Sequence, residues 1–274
     1  MEIYREVERS LIKKYRKPIW DRFIGGIKDY KLIQPGDKIA VCISGGKDSI
    51  LLACCMQHLL KYTEIPFSLE FIAMDPGYNP ENRQLLMSNC EMLHIPIHIF
   101  DTDIFNIVVK EEKSPCYLCA RMRRGYLYRH AQDLGCNKIA LGHHFDDVIE
   151  TIVMSMFYGA EMRTMMPKLH SKNFPGMELI RPLYLVHEQD ILAWKRYNGL
   201  QFLQCACRFT ENAARNPGSA GKRAQVKALI ASLRADNPQV DRNIFRSAQG
   251  VNLETLISWR CQNERHSFLD NYEK

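Results

Sequence analysis

An apolar run, Lys38–Ile43 (KIAVCI), leads directly into Ser44-Gly45-Gly46-Lys47-Asp48-Ser49, and that loop leads into a helix-forming stretch over residues 48–62. No other segment restricts the fold as tightly. A continuous apolar run of this length reads as a strand buried on both faces, the kind found inside parallel sheets. The following stretch places Ile50, Leu51, Cys54 and Leu59 at helical spacing. Small residues between strand and helix let backbone N–H groups crowd around an anion, and the helix N-terminus adds positive potential. The loop is not a Walker A motif, because Asp48 follows Lys47 where Ser or Thr would bind magnesium. It also lacks the spaced glycines of a dinucleotide fingerprint. The alternative is an ordinary strand-to-helix turn in which Asp48 and Ser49 cap the helix, although a full six-residue small and polar loop weighs against that.

The same alternation continues along the chain. Strands are expected at 68–74, 95–100 and 138–141, with a last sheet element at 179–183; helices are expected from a Gly- and Pro-rich loop to about residue 94, and at 117–134, 146–158 and Glu188–Tyr197. This pattern predicts an α/β fold, a parallel sheet covered by helices on both faces. Residues 1–17 hold six Lys or Arg against three Glu and read as a basic amphipathic helix closed by Pro18. After about residue 205 the pattern turns polar, with 222–233 the clearest helix. The expected organisation is a basic helical segment at 1–35, a core at 36–205 and a helical extension at 206–274. Hydrophobic residues at 46% and charged residues at 25% exclude a disordered or fibrous chain. The absence of a ~20-residue apolar run excludes a bilayer span. Ten cysteines behind a charged N-terminus without a secretory pattern predict a reducing, cytoplasmic setting, where clustered thiols serve metal or redox chemistry.

Two further segments carry chemistry. Leu141-Gly142-His143-His144-Phe145-Asp146-Asp147 follows the 138–141 strand, so its side chains emerge at the sheet edge that carries the glycine loop. Asp146 and Asp147 are suited to hold magnesium, to orient a nucleotide or to position a substrate base; the competing reading is that they cap the next helix. His143 and His144 are taken as lining the site. The second segment is Cys116-Tyr117-Leu118-Cys119 at a helix start, with Cys205-Ala206-Cys207 far downstream. A CxxC alone fits a zinc half-site or a redox pair as well as chance. Cys42, Cys54, Cys55 and Cys90 fall in apolar positions and read as small buried hydrophobes. Arg121, Arg123, Arg124 and Arg129 follow the CxxC on its helix. Lys13, Lys14, Arg16, Lys17 and Arg22 lie near the N-terminus, and Lys222, Arg223 and Lys227 beyond the second cysteine motif. Each basic run alone is a solvated helix face; their recurrence beside both cysteine motifs suits a phosphate-backbone ligand.

SGGKDS resembles the pyrophosphate-loop signature SGGxDS of the N-type ATP pyrophosphatases. With PCYLCARMRRGYLY, GHHFDDVIETIVMSMFYGAEMRTMMPKL and IRPL, the chain resembles the tRNA 2-thiocytidine synthetase family from about residue 20 to 234. The resemblance implies an adenine nucleotide α-hydrolase-like fold and an ATP-dependent, adenylating tRNA sulfurtransferase forming 2-thiocytidine at position 32 of the anticodon loop. It implies ATP and Mg2+ at Ser44, Gly45, Gly46, Lys47, Asp48, Ser49, Asp75, Gly142 and His143, with Asp48, Asp146 and Asp147 catalytic. It further implies a 4Fe-4S cluster on Cys116, Cys119 and a third cysteine, with Cys207 aligned at that position and Cys205 the alternative. An open iron would then present sulfide to C2 of the adenylated base. The RNA would meet Arg121, Arg123 and Arg124. A cysteine desulfurase or free sulfide as sulfur donor and a homodimer complete the expectation. The rivals are a thiouridine synthetase with the same cluster, although no paired cysteine motif precedes residue 40, and a non-thiolating ligase of the superfamily, which leaves the cysteines unexplained. A zinc-stabilised RNA-binding module without catalysis is the reading from another class.

Overall fold

Strand β1 (Lys38–Ile43) is buried along all but its first residue and forms the centre of a six-stranded sheet. The computed structural model describes residues 2–104, 115–203, 221–262, 264–270 and 272. Strands β2 (Ser68–Asp75), β3 (Ile97–Asp101), β4 (Lys138–Ala140), β5 (Lys168–His170) and β6 (Glu178–Ile180) complete the sheet in the order β3-β2-β1-β4-β6-β5. β1 pairs in parallel with β2 and β4, with Val41 opposite Phe71 on one side and Ala140 on the other. β3 and β6 extend the parallel run, and only β5 is antiparallel, at the edge. The expected α/β sheet is therefore present, with β5 as an addition that the polar triplet KLH did not signal.

Side chains alternate across a strand, and β1 distributes its residues accordingly. Ile39, Val41 and Ile43 enter a cluster with Ile50, Leu51 and Leu52 of helix α3 (Lys47–Tyr62), with Trp194 and with Phe202. Ala40 and Cys42 face the other way, against Tyr128 and Ala131 of helix α5 (Pro115–Asp133), Ile139 and Leu179. Each fully buried Leu, Ile or Val contributes roughly 1.5–3 kcal/mol relative to exposure, so both faces hold β1 in place. Helices α4 (Pro80–Met92), α6 (Phe145–Gly159) and α7 (Glu188–Tyr197) supply the remaining crossovers and cover.

Pro18 does not close the N-terminal helix as expected. Helix α1 (Ile3–Ile12) leads into a π-turn, Arg16–Trp20, with Pro18 inside it, and then into α2 (Asp21–Asp29). The cause is a buried ladder at every fourth residue: Leu11, Tyr15, Ile19, Phe23 and Ile27. On an ideal α-helix such a ladder drifts by about 40° per step. The wider π-turn, closed by the Trp20 N–H to the Tyr15 carbonyl at 3.2 Å, offsets that drift and keeps the ladder on the core.

At the opposite end of the sheet from the glycine loop, Lys138 is buried. Its Nζ lies 2.8 Å from Asp37 Oδ2 and 3.1 Å from Glu178 Oε2, and donates to the Leu32 carbonyl at 2.9 Å. All three of its donors are engaged.

The chain forms two compact units, Met1–Val148 with Met166–Ala220, and Ile149–Met165 with Gly221–Lys274. In the second, helix α8 (Lys222–Asp236) is tied by Arg223 Nε to Glu150 Oε2 at 2.8 Å and by Tyr158 Oη donating to Gln225 at 2.9 Å. Helix α9 (Val240–Ser247) joins α8 through a forked Arg234–Asp241 pair, and strands β7 (Ser258–Cys261) and β8 (Glu264–Ser267) form a hairpin.

Candidate active site

From β1 the chain builds the sheet outward through β2 and β3, then returns to the other side of β1 with β4 and continues through β6. The reversal makes the gap between β1 and β4 the topological switch point, and open α/β sheets bind ligands beyond the carboxyl ends of their strands at such a point. Ser44–Ser49 leave the end of β1, Gly142–Asp147 the end of β4, Asp75 closes β2, and Arg181 follows β6.

The glycine loop is shaped by its own hydroxyls. Ser49 Oγ accepts the Ser44 N–H at 3.1 Å, donates to the Gly46 carbonyl at 3.0 Å and lies 3.1 Å from Ser44 Oγ. Gly45 has φ 77°, a left-handed conformation that favours glycine, and a Cβ there would run into the Leu203 side chain. Leu203 is held at this point by its N–H donating to the Gly45 carbonyl at 3.0 Å. Gly46 at the N-cap of α3 has no side chain to offer the first-turn N–H groups, which leaves them for an anion. Lys47 Nζ lies 3.0 Å from Asp48 Oδ2 and 3.2 Å from Glu188 Oε1. Burial opposes the charge of Lys47, but the two carboxylates outweigh it and hold its pKa above the ordinary lysine value.

On the β4 side, Gly142 allows two backbones to touch. A Cβ there would sit 3.0 Å from Asp48 C and Ser49 N. Asp147 Oδ2 accepts the His144 N–H at 3.1 Å, which is the reciprocal half of a capping box at the start of α6. Asp146 Oδ2 instead accepts the Glu188 N–H at 2.7 Å and so caps α7. The capping reading of these aspartates is therefore realised, on two different helices. Capping does not remove them from the crevice. The buried His144 ring lies 3.6 Å from Asp147 Oδ2, 3.8 Å from Asp48 Oδ1 and 4.0 Å from Asp146 Oδ2, so the three carboxylates surround one imidazole. Asp48 Oδ1 is buried and has no hydrogen-bond partner among the described residues, which fits a cation as its missing partner. Among the described residues no group of three His, Cys, Asp or Glu is arranged to hold a metal by itself. Magnesium suits such a place, since it uses one or two carboxylates and takes its other ligands from phosphates and water. His143 lies half-buried in the same loop.

Asp75 is buried and already committed. Its Oδ1 accepts the N–H groups of Gly77 at 2.9 Å and Tyr78 at 2.7 Å, and its Oδ2 pairs with Arg83 at 2.8 Å. Tyr78 Oη in turn donates to the Ser44 carbonyl at 3.4 Å. Asp75 thus shapes the loop that borders the glycine loop. Just beyond β2, Leu118, Cys119 and Met122 of α5 pack on Met74 and Ile104. The half-buried Cys119 is therefore at the same edge of the sheet as the glycine loop, and it forms no disulfide among the described residues. Cys116 opens the same helix, but its side chain, like Cys205 and Cys207, lies outside the described residues. The last described residues before those two cysteines are anchored, Gln201 by Asn89 Nδ2 at 2.8 Å and Leu203 by the Gly45 carbonyl of the glycine loop. Arg121 and Arg124 are exposed on α5, and Arg123 is partly so. The remaining core cysteines behave as hydrophobes: burial pushes the Cys42, Cys54 and Cys90 thiols up to about 12 and Cys136 to about 11.

Residues 13–217 match the family described as PP-loop domain. Curated relatives named tRNA-cytidine(32) 2-sulfurtransferase match most of the chain. The one from Paracidovorax citrulli is 42% identical over 88% of this chain and 76% of its own. The one from Coxiella burnetii is 33% identical over 97% of this chain and 99% of its own. The chain belongs to the tRNA-cytidine(32) 2-sulfurtransferase family of PP-loop proteins. Among solved structures, the U34-tRNA thiolase NcsA from Methanococcus maripaludis with its 4Fe-4S cluster superimposes with a TM-score of 0.65 at 21% identity, over 86% of this chain and 80% of that one. That likeness shows a shared fold.

Three contributors to the crevice of this family member were not anticipated. Glu188 was read only as the start of a helix, yet it holds Lys47 and receives the Asp146 cap. Arg181 stood unremarked within IRPL. It is buried, donates to the Met166 carbonyl and leaves its Nε without a partner among the described residues. Burial lowers its pKa to about 10. Leu203, next to the downstream cysteines, buttresses the glycine loop. The sequence held a signal for Arg181 in its motif, but none for Glu188 or Leu203, whose contacts with the glycine loop span more than a hundred residues.

Proposed function

We propose that this protein is an ATP-dependent tRNA sulfurtransferase that converts cytidine 32 of the anticodon loop to 2-thiocytidine. The observation that carries the reading is the placement of SGGKDS and GHHFDD directly after adjacent strands at the switch point, with Cys119 on the same sheet edge. The N–H groups at the start of α3 receive the β and γ phosphates, and Lys47 exchanges its carboxylate partners for phosphate oxygen. Asp48, with Asp146 or Asp147, holds Mg2+ against the phosphates. Cytidine O2 attacks the α-phosphorus, pyrophosphate departs, and the base carries AMP on O2. A sulfur nucleophile then adds at C2; the C2–O bond breaks, AMP leaves and sulfur replaces oxygen. Cys116, Cys119 and Cys207, or Cys205 in its place, would hold a 4Fe-4S cluster, which when bound supplies hydrosulfide for this addition. A neutral oxygen is a poor leaving group, so the role of the phosphate machinery is to turn it into AMP. The target base must leave its stack to reach the crevice, and Arg121, Arg123 and Arg124 hold the RNA backbone. A cysteine desulfurase or free sulfide provides the sulfur. The protein works as a cytoplasmic homodimer, and no described helix is long and apolar enough to cross a membrane.

The test is anaerobic purification with iron and sulfide analysis, then incubation with unmodified tRNA, ATP, Mg2+ and sulfide, followed by nucleoside analysis. Thiolated cytidine with stoichiometric AMP and pyrophosphate is expected. Absence of 2-thiocytidine from a cluster-loaded, ATP-binding preparation overturns the reading. Cys116→Ala, Cys119→Ala and Cys207→Ala should each lose the cluster, whereas Cys205→Ala should keep it.

A further inference from the structure

The nucleotide crevice leaves unused a second group of cations, on the first unit where α1, the π-turn and α7 meet. Lys13, Lys14, Arg16 and Lys17 are all exposed. Arg16 is satisfied by Asp21 at 3.5 Å, and Arg22 by Asp190 of α7 at 3.1 Å. Lys13, Lys17 and Arg196 form no ion pair among the described residues. Lys14 Nζ stands 3.7 Å above the ring of Tyr197, which keeps 55% of its surface exposed at the end of α7. Tyr15 locks the two elements together, its hydroxyl donating to the Ala193 carbonyl at 2.9 Å and its ring meeting Tyr197 edge-on at 5.8 Å. The result is a rigid surface of cations around an exposed aromatic ring.

Helix α7 measures the distance from this surface to the crevice. Glu188 at its first residue touches Lys47, and Arg196 and Tyr197 lie at the other end of this 10-residue helix. At 1.5 Å per residue the separation is about 12–14 Å, the length of roughly four stacked nucleotides at ~3.4 Å each. An RNA with one base in the crevice therefore brings its neighbouring backbone within reach of these side chains. A membrane is a poorer match, because the apolar stripe Val7, Leu11, Tyr15 and Ile19 is buried in the core and cannot insert.

We propose that Lys13, Lys14, Lys17, Arg196 and Tyr197 form a second RNA contact, which grips the phosphates of the stem adjoining the target loop. This rests on the proposed tRNA substrate and deepens it. Exposed cations on fixed helices neutralise phosphates by releasing counterions, and each lost contact lowers the salt slope of binding by about 0.7–0.9.

The experiment compares wild type with the triple variant Lys13→Gln/Lys17→Gln/Arg196→Gln, measuring unmodified tRNA binding from 50 to 300 mM salt, alongside ATP affinity and thiolation kinetics. The expected result is a slope of log affinity against log salt that is shallower by about 2, with KM for tRNA at least tenfold higher at low salt. ATP affinity and kcat should stay unchanged, which also shows that the variant is folded. A wild type that binds and thiolates tRNA while the variant keeps the same slope and KM overturns this inference and leaves the proposed function standing. A wild type that binds no tRNA at all overturns both.

Discussion

Gly142 is where the segment after β4 touches the glycine loop, and Gly142→Ala tests whether that touch sets the site. The added Cβ would stand 3.0 Å from Asp48 C and Ser49 N and 3.1 Å from Asp48 O. Ordinary contact begins at 3.4 Å, so the two backbones must separate by a few tenths of an ångström. None of the three atoms belongs to a side chain that could rotate away. Overpacking of this kind costs about 1–3 kcal/mol, and in a chain of this size each kcal/mol lowers Tm by about 2–4 °C. The displaced atoms belong to the first turn of α3 and to Asp48, so ATP chemistry should suffer beyond the stability loss. Misplacement by ~1 Å can cost a hundredfold in rate, and a shift of under half that should cost about tenfold. The assays are thermal unfolding and ATP–pyrophosphate exchange supported by tRNA. Gly125→Ala is the control: nothing lies within 4 Å of its added Cβ, and the helical position should gain up to ~1 kcal/mol. Wild-type Tm and exchange rate in Gly142→Ala would refute the argument that this contact positions the loop.

Lys138→Met should strand two buried carboxylates, Asp37 and Glu178, and lower stability by about 3–5 kcal/mol in urea unfolding; a loss below about 1 kcal/mol would mean the carboxylates find other partners. Asp147→Ala removes the return bond to the His144 N–H and should cost about 1 kcal/mol, a loss seen in the Asp147 variant's melting temperature even without nucleotide. Iodoacetamide at pH 8 should label exposed Cys261 and leave Cys42, Cys54 and Cys90 intact, because a thiol held near pKa 12 is only about one part in ten thousand thiolate there. Those raised values also fix a sign. The native state holds these protons more tightly than the unfolded chain, so their stabilisation is complete below pH 9 and fades as pH rises toward 12. Rapid labelling of the three buried thiols in folded protein would contradict their burial.

What could be read from the chain divides along physical lines. β1 and α7 emerge with their observed limits, because an apolar run and an acidic helix start are local signals. The π-turn was missed because its cause is a packing ladder spread over α1 and α2, and a proline rule applied to Pro18 alone does not see it. β5 was missed because three half-polar edge residues carry no periodicity. The site divides in the same way. Ser44–Ser49, Asp146 and Asp147 declare themselves by composition and position, while the Glu188–Lys47 pair arises only when α7 is laid beside α3. The resemblance puts Asp75 among the nucleotide-site residues, but its carboxylate is engaged by Gly77, Tyr78 and Arg83, a commitment that only three-dimensional neighbours reveal.

The Leu203 N–H and the Gly45 carbonyl share one hydrogen bond, and the Leu203 side chain fills the space beside the same glycine. The residues that lead into the downstream cysteine segment are thus bolted to the glycine loop. A ligand that stiffens the glycine loop therefore restricts Leu203, and whatever fixes the residues after Leu203 returns the same free energy to nucleotide affinity, since coupling between two binding events is reciprocal. Under the proposed function, activation of the base and readiness of the sulfur side would in that sense be coupled, through a single hydrogen bond.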